Sequence, residues 1–168
     1  KDDTLRVTLP EFLGGDKYEY LRSPAPAPTF GKFVMEKRED TVVDGKRHLK
    51  FFIDSPRDAQ EVRIKLSGAS VYRSSVLGND MHQRGNDWNV RLIMMPFEGG
   101  ELELVTEPDK PLNFAVHEMS YQLPENLPNF PPRPDWMMSQ TNRRLDHLTS
   151  PGKSLQSNHT YSICTYTF

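Results

Sequence analysis

Apolar and polar residues alternate with a period of two along much of this chain, which sets successive side chains on opposite faces of an extended strand. Glu61-Val62-Arg63-Ile64-Lys65-Leu66 is the clearest run. Val62, Ile64 and Leu66 are expected to enter a core, while Glu61, Arg63 and Lys65 meet water. The stretch from Arg47 to Ile53 repeats the pattern with Leu49, Phe51 and Ile53 inward. Trp88, Val90, Leu92 and Met94 form a third inward row, opposed by Asp87, Asn89 and Arg91. Leu102 and Leu104 make a fourth, and Leu112, Phe114 and Val116 a fifth. Thr160 to Phe168 is rich in Thr, Tyr and Ile, which suit a pleated, half-buried surface. Its alternation puts Cys164 beside Tyr166 and Phe168.

Turn signals separate these runs: Asp44-Gly45, Ser55-Pro56, Ser67-Gly68, Gly78-Asn79-Asp80, Gly85-Asn86-Asp87, Gly99-Gly100 and Glu107-Pro108-Asp109. Asp-Gly and Gly-Gly tolerate the positive φ of tight hairpins. No segment with a helical period is long enough to serve as a crossover between parallel strands. The prediction is an all-β fold: an antiparallel β-sandwich, jelly-roll-like, with a long irregular Pro-rich segment. Residues 1–28 read as an N-terminal strand (Thr4 to Pro10) and a spacer, since Ser23-Pro24-Ala25-Pro26-Ala27-Pro28 favours extended backbone. Residues 29–168 form the sandwich. Within it, 122–158 is an irregular segment carrying Pro124, Pro128, Pro131, Pro132, Pro134 and Pro151, and its apolar residues favour packing over disorder.

Composition narrows the function classes. The 168 residues hold Lys+Arg 21 against Asp+Glu 23, a net charge of −2, which argues against bulk nucleic-acid binding. No apolar run approaches the roughly 18 residues of a membrane helix. Cys164 is alone, so neither an internal disulfide nor a thiolate zinc cage can form. The opening Lys1-Asp2-Asp3 lacks an initiator methionine and a signal sequence, and reads as the start of a piece of a longer protein.

Candidate chemistry is sparse. None of His48, His82, His117, His147 and His159 has a metal-ligand spacing, and the adjacent pair His117-Glu118 would face opposite ways. Asn79, Asp80, Asn86 and Asp87 could offer oxygens to calcium but lack the alternating loop and the bidentate glutamate, so they read as turn residues. No nucleophile elbow and no phosphate-cradling glycine loop occurs. Catalytic, cofactor and metal residues are therefore all expected to be none. Phe130, Arg133, Trp136, Met137 and Met138 are the candidate interaction surface, because they lie beyond the strands' own faces. Trp88, standing in an alternating row, is assigned to the core.

The C-terminal third carries an ordered series of cues. Val116-His117-Glu118-Met119-Ser120-Tyr121-Gln122-Leu123-Pro124 precedes Pro131-Pro132-Arg133-Pro134-Asp135-Trp136-Met137-Met138, and Asn158 to Phe168 closes the chain. This series resembles the C-terminal end of multi-pass, membrane-anchored zinc metallopeptidases related to aminopeptidase Y and the endoplasmic reticulum metallopeptidases, with Gln122 where that family has glycine. Ser55-Pro56-Arg57-Asp58-Ala59, and the Trp88 strand leading to Gly99-Gly100, resemble the same domain. The resemblance implies a non-catalytic accessory domain on the extracytoplasmic face of a membrane, whether periplasmic, extracellular or in an organelle lumen. Its partners would be the peptidase domain and membrane helices of its own parent chain. The parent's zinc ligands, a His-x-Asp, an Asp, a Glu-Glu pair and a distant His, have no counterparts here, so the zinc would belong to the parent alone. The alternative is a carbohydrate-binding jelly-roll module with a glycan as partner, which requires exposed coplanar aromatics in a groove.

Overall fold

Residues 5–8, 19–22, 31–120 and 160–168 are described by a computed structural model. Eleven strands and no helix occur among them. They are β1 (Leu5–Thr8), β2 (Glu19–Arg22), β3 (Val34–Val43), β4 (Lys46–Asp54), β5 (Glu61–Ser67) and β6 (Val71–Val76), followed by β7 (Asn79–Met81), β8 (Asn89–Ile93), β9 (Gly100–Thr106), β10 (Asn113–Ser120) and β11 (Thr160–Thr167). β1 and β2 pair with each other. The rest form a five-stranded sheet, β3-β4-β9-β6-β7, and a four-stranded sheet, β11-β10-β5-β8, antiparallel throughout.

Between β4 and β10 the neighbours run β4-β9-β6-β7 in one sheet and β10-β5-β8 in the other. This is the winding of a jelly roll. The place beside β10 that the fold's first strand would hold is taken by β11, which pairs with β10 from Asn113↔Thr167 to Ser120↔Thr160. β3 extends the other sheet instead.

The inward rows read from the sequence meet between the sheets. Val62, Ile64, Leu66, Phe51, Ile53, Leu102, Leu112 and Val116 are fully buried, and Leu49, Leu104 and Phe114 almost so. Phe51 of one sheet lies edge-on to Phe114 of the other, with centroids 5.4 Å apart, and Phe168 packs on both at 5.0 and 6.0 Å. Trp88 Nε1 donates to Ser74 Oγ at 2.8 Å, tying the start of β8 to β6 across the core. Burying these rings removes large apolar areas from water, at about 25 cal/mol per Å².

Two tight turns explain two hairpins. Asp44 (φ 50) and Gly45 (φ 70) join β3 to β4, and Leu77 (φ 52) and Gly78 (φ 76) join β6 to β7. Positive φ at both central positions matches the right-handed twist of the flanking strands. The second turn corrects the expected one: it sits at Leu77-Gly78, and Asn79 and Asp80 belong to β7, facing Val76 and Ser75. Leu77 holds its costly left-handed backbone because its side chain packs on the core over Gly100.

A second correction concerns the Trp88 row. Trp88 and Val90 are buried and Leu92 is half-buried, but Met94 is 69% exposed with φ 55. The chain leaves β8 at Ile93 to cross to β9 in the other sheet, so the alternation stops there.

Candidate functional site

Three groupings of polar or exposed apolar side chains lie on this scaffold. The first is inside it. In β10 the inward positions are Phe114, Val116, Glu118 and Ser120, so a carboxylate continues the row that the aliphatic residues begin. Glu118 is 1% exposed; its Oε1 accepts a hydrogen bond from Ser55 Oγ at 2.5 Å, and its Oε2 has no hydrogen-bond partner among the described residues. Ser55 also accepts from Ala59 N through its hydroxyl and from Asp58 N through its carbonyl, which closes the Ser55-Pro56 turn. Burial pushes the Glu118 carboxyl above its ordinary range, against the Ser55 hydrogen bond and the nearby positive charge of Arg57. Close by, Tyr166 Oη donates to the Phe33 carbonyl, tying β11 to the chain's entry into β3. Burial, with Cys164 beside it, pushes the Tyr166 hydroxyl up to about 12. Cys164 is half-buried against the core with Tyr166 and Phe168.

The raised Glu118 carboxyl binds its proton more tightly in the folded chain than in the unfolded one. Its contribution therefore weakens stability progressively as pH rises above its ordinary value of 4.5. Asp40, Glu61 and Glu103 are shifted the other way, and their stabilisation is lost as pH falls below the ordinary carboxylate range. Melting temperatures of the wild-type chain and Glu118→Gln across acidic to neutral pH separate the two effects. The difference, variant minus wild type, is expected to grow as pH rises past 4.5; a constant difference would show that Glu118 titrates as an ordinary carboxylate.

The second grouping is a groove of about 290 Å³ on the five-stranded sheet, lined by Glu39, His48, Lys50, Arg73, Ser75 and Glu103 among others. Several of its charges are paired, one of them with Asp80 outside the lining. Lys50 Nζ lies 3.2 Å from Glu103, Ser75 Oγ donates to Glu103 at 3.1 Å, and Arg73 pairs with Asp80. The Lys50 and Ser75 hydrogen bonds hold the Glu103 carboxyl below its usual range. No Phe, Tyr or Trp lines the groove; its one ring is the His48 imidazole.

The third lies on the outer face of the four-stranded sheet. Arg63 of β5 stands opposite Arg91 of β8 in register, and Glu61 bonds both: Arg63 Nε to Oε1 at 2.5 Å and Arg91 Nη2 to Oε2 at 2.6 Å. Burial raises the Glu61 carboxyl, but the two arginine hydrogen bonds outweigh it and the net direction is down. His117, the register partner of Arg63 on the other side, is half-buried; burial and the charges of Arg63 and Lys65 lower its imidazole. Beyond Ile93 the chain makes a turn in which Met94 and Phe97 stand in solvent.

The candidate surface Phe130, Arg133, Trp136, Met137 and Met138 lies outside the described residues, as do His147 and His159. His48 and His82 are exposed and far apart in the fold, on β4 and after β7. Asn79 Nδ2 donates to the Leu77 carbonyl at 3.0 Å, and Asn86 accepts from Ser70 Oγ: both serve turns. Among the described residues no group of three or more His, Cys, Asp or Glu is placed to hold a metal ion, and no helix is long and apolar enough to cross a membrane. Comparison with protein-family models, curated proteins and solved structures finds no match.

Two features differ from what the sequence pattern predicts. Glu118, adjacent to His117, takes the inward row that its spacing from Phe114 and Val116 marks. The exposed turn stands where alternation predicts the end of a core row. The signal against that was Leu92-Ile93-Met94-Met95-Pro96-Phe97, six apolar residues running unbroken, of which an alternating strand can bury only every second one.

Proposed function

We propose that this chain is a non-catalytic accessory β-sandwich domain of a membrane-bound zinc metallopeptidase, docking on its parent's peptidase domain or membrane segments and modulating access or stability. The observation that carries this reading is the pairing of β10 with β11 along their whole length. The two outer cues of the C-terminal resemblance, Val116 to Pro124 and Asn158 to Phe168, are separated in sequence, and their described parts, Val116 to Ser120 and Thr160 to Thr167, pair as strands at the edge of one sheet. The polar groupings favour the same reading: the Glu118 carboxyl is sealed in the core, and in the groove Lys50 is paired with Glu103 and Arg73 with Asp80.

The chain as it stands, incubated with zinc and aminoacyl substrates, is expected to give no turnover above buffer. Deleting it from the longer protein is expected to lower that protein's melting temperature or its peptidase rate. Zinc-stimulated turnover by the chain alone, or a deletion without consequence, would overturn the proposal. The carbohydrate-binding alternative finds less support, since the groove offers charged walls and no Phe, Tyr or Trp on which a sugar could stack.

A further inference from the structure

We propose that the turn following β8, together with the basic face beside it, is a docking site for an anionic lipid bilayer. Six large hydrophobic residues are exposed among those described, and three belong to this stretch: Ile93 at 58%, Met94 at 69% and Phe97 at 83%. The turn is held from below. Met94 N donates to the Gln60 carbonyl and Gly99 N to the Pro96 carbonyl, both at 3.0 Å. Gly99 lies so close to β4 that an added Cβ would stand 2.6 Å from the Ile53 carbonyl. The backbone is thus pinned to the end of the sandwich while its apolar side chains point away from it. Ile93, Met94 and Phe97 stand in solvent within five residues of chain, an apolar patch suited to a soft medium.

Charge supplies the second argument. Arg91 shares the outward face of β8 with Ile93, Arg63 is its register partner, and Lys65 follows on the same face of β5. Against these three cations stand two carboxylates, Glu61, which bonds both arginines, and the exposed Asp87 before β8, so this face keeps one positive charge on a chain whose net charge is −2. An apolar patch bordered by cations matches the acyl boundary and phosphate layer of a bilayer containing acidic lipid. Glu98, exposed on the turn, opposes that attraction and gives a handle on it. This inference does not depend on the metallopeptidase reading, because it concerns a surface the chain carries by itself.

The test is co-sedimentation of the full chain with phosphatidylcholine vesicles, with and without phosphatidylserine. Binding is expected to require phosphatidylserine and to weaken as salt rises. Phe97→Ser is expected to weaken it roughly tenfold or more, the loss of one buried aromatic side chain. Glu98→Lys is expected to strengthen it by roughly fivefold or more. Both positions are exposed, so both variants should melt with the wild type. In Phe97→Trp, the added fluorescence should shift to the blue on phosphatidylserine vesicles. Absence of binding to either vesicle, binding indifferent to Phe97→Ser, or a dimer in solution that Phe97→Ser dissolves would each overturn the proposal, the last in favour of a second copy of the chain.

Discussion

Alanine at Trp88 is expected to remove about 3–5 kcal/mol from the stability of the sandwich, a large part of the about 5–15 kcal/mol typical of a domain this size. The indole is fully buried and its Nε1 is bonded to Ser74 on the opposite sheet, so truncation opens a cavity and leaves the Ser74 hydroxyl without its donor. Denaturant unfolding should show the midpoint falling with the slope unchanged. Combining Trp88→Phe with Ser74→Ala isolates the hydrogen bond: the double variant should lose less than the sum of the singles, by about 1 kcal/mol. A loss under about 1 kcal/mol for Trp88→Ala, against the range expected of a buried tryptophan, would mean that the indole is not packed between the sheets.

Gly68→Ala is expected to cost about 3 kcal/mol, from two sources that a control can separate. Gly68 has φ +100, a conformation that L side chains rarely adopt, and a Cβ there would stand 2.3 Å from the Pro111 carbonyl oxygen. That oxygen belongs to the backbone leading into β10 and cannot rotate away. Gly85 has a similar φ of +95 but nothing within 4 Å of an added Cβ. Gly85→Ala should therefore show the backbone strain alone, of about 1–2 kcal/mol. Equal losses at the two positions would show that the approach of Pro111 to the turn after β5 is not tight.

The strands visible in the sequence are those whose inner face carries at least two successive apolar positions. β4, β5, β9 and β10 each place aliphatic or aromatic residues at alternate positions, and the structure buries those positions. β3 gives no such signal because eight consecutive residues of it, Glu36 to Val43, are exposed; what holds it is the ladder to β4 and the fork of Arg47 on Asp40, with two bonds of 2.8 Å. β6 was missed for a different reason. Its inward position Ser74 is polar, and the partner that makes this acceptable, Trp88, lies elsewhere in the sequence. The same holds for Glu118 and Ser55, 63 residues apart. Periodicity reports which face a residue takes, whereas a buried polar pair depends on the topology that brings the partners together. The exposed turn after β8 was misread because alternation carries no mark of where a strand ends.

Reading the coding sequence on the N-terminal side of Lys1 tests the proposal that the chain is one domain of a larger membrane metallopeptidase. A His-x-Asp and Glu-Glu ligand pattern in a peptidase domain, then several apolar runs of roughly 20 residues, are expected before Lys1. A signal peptide ending next to Lys1, or an upstream region with neither feature, would contradict it.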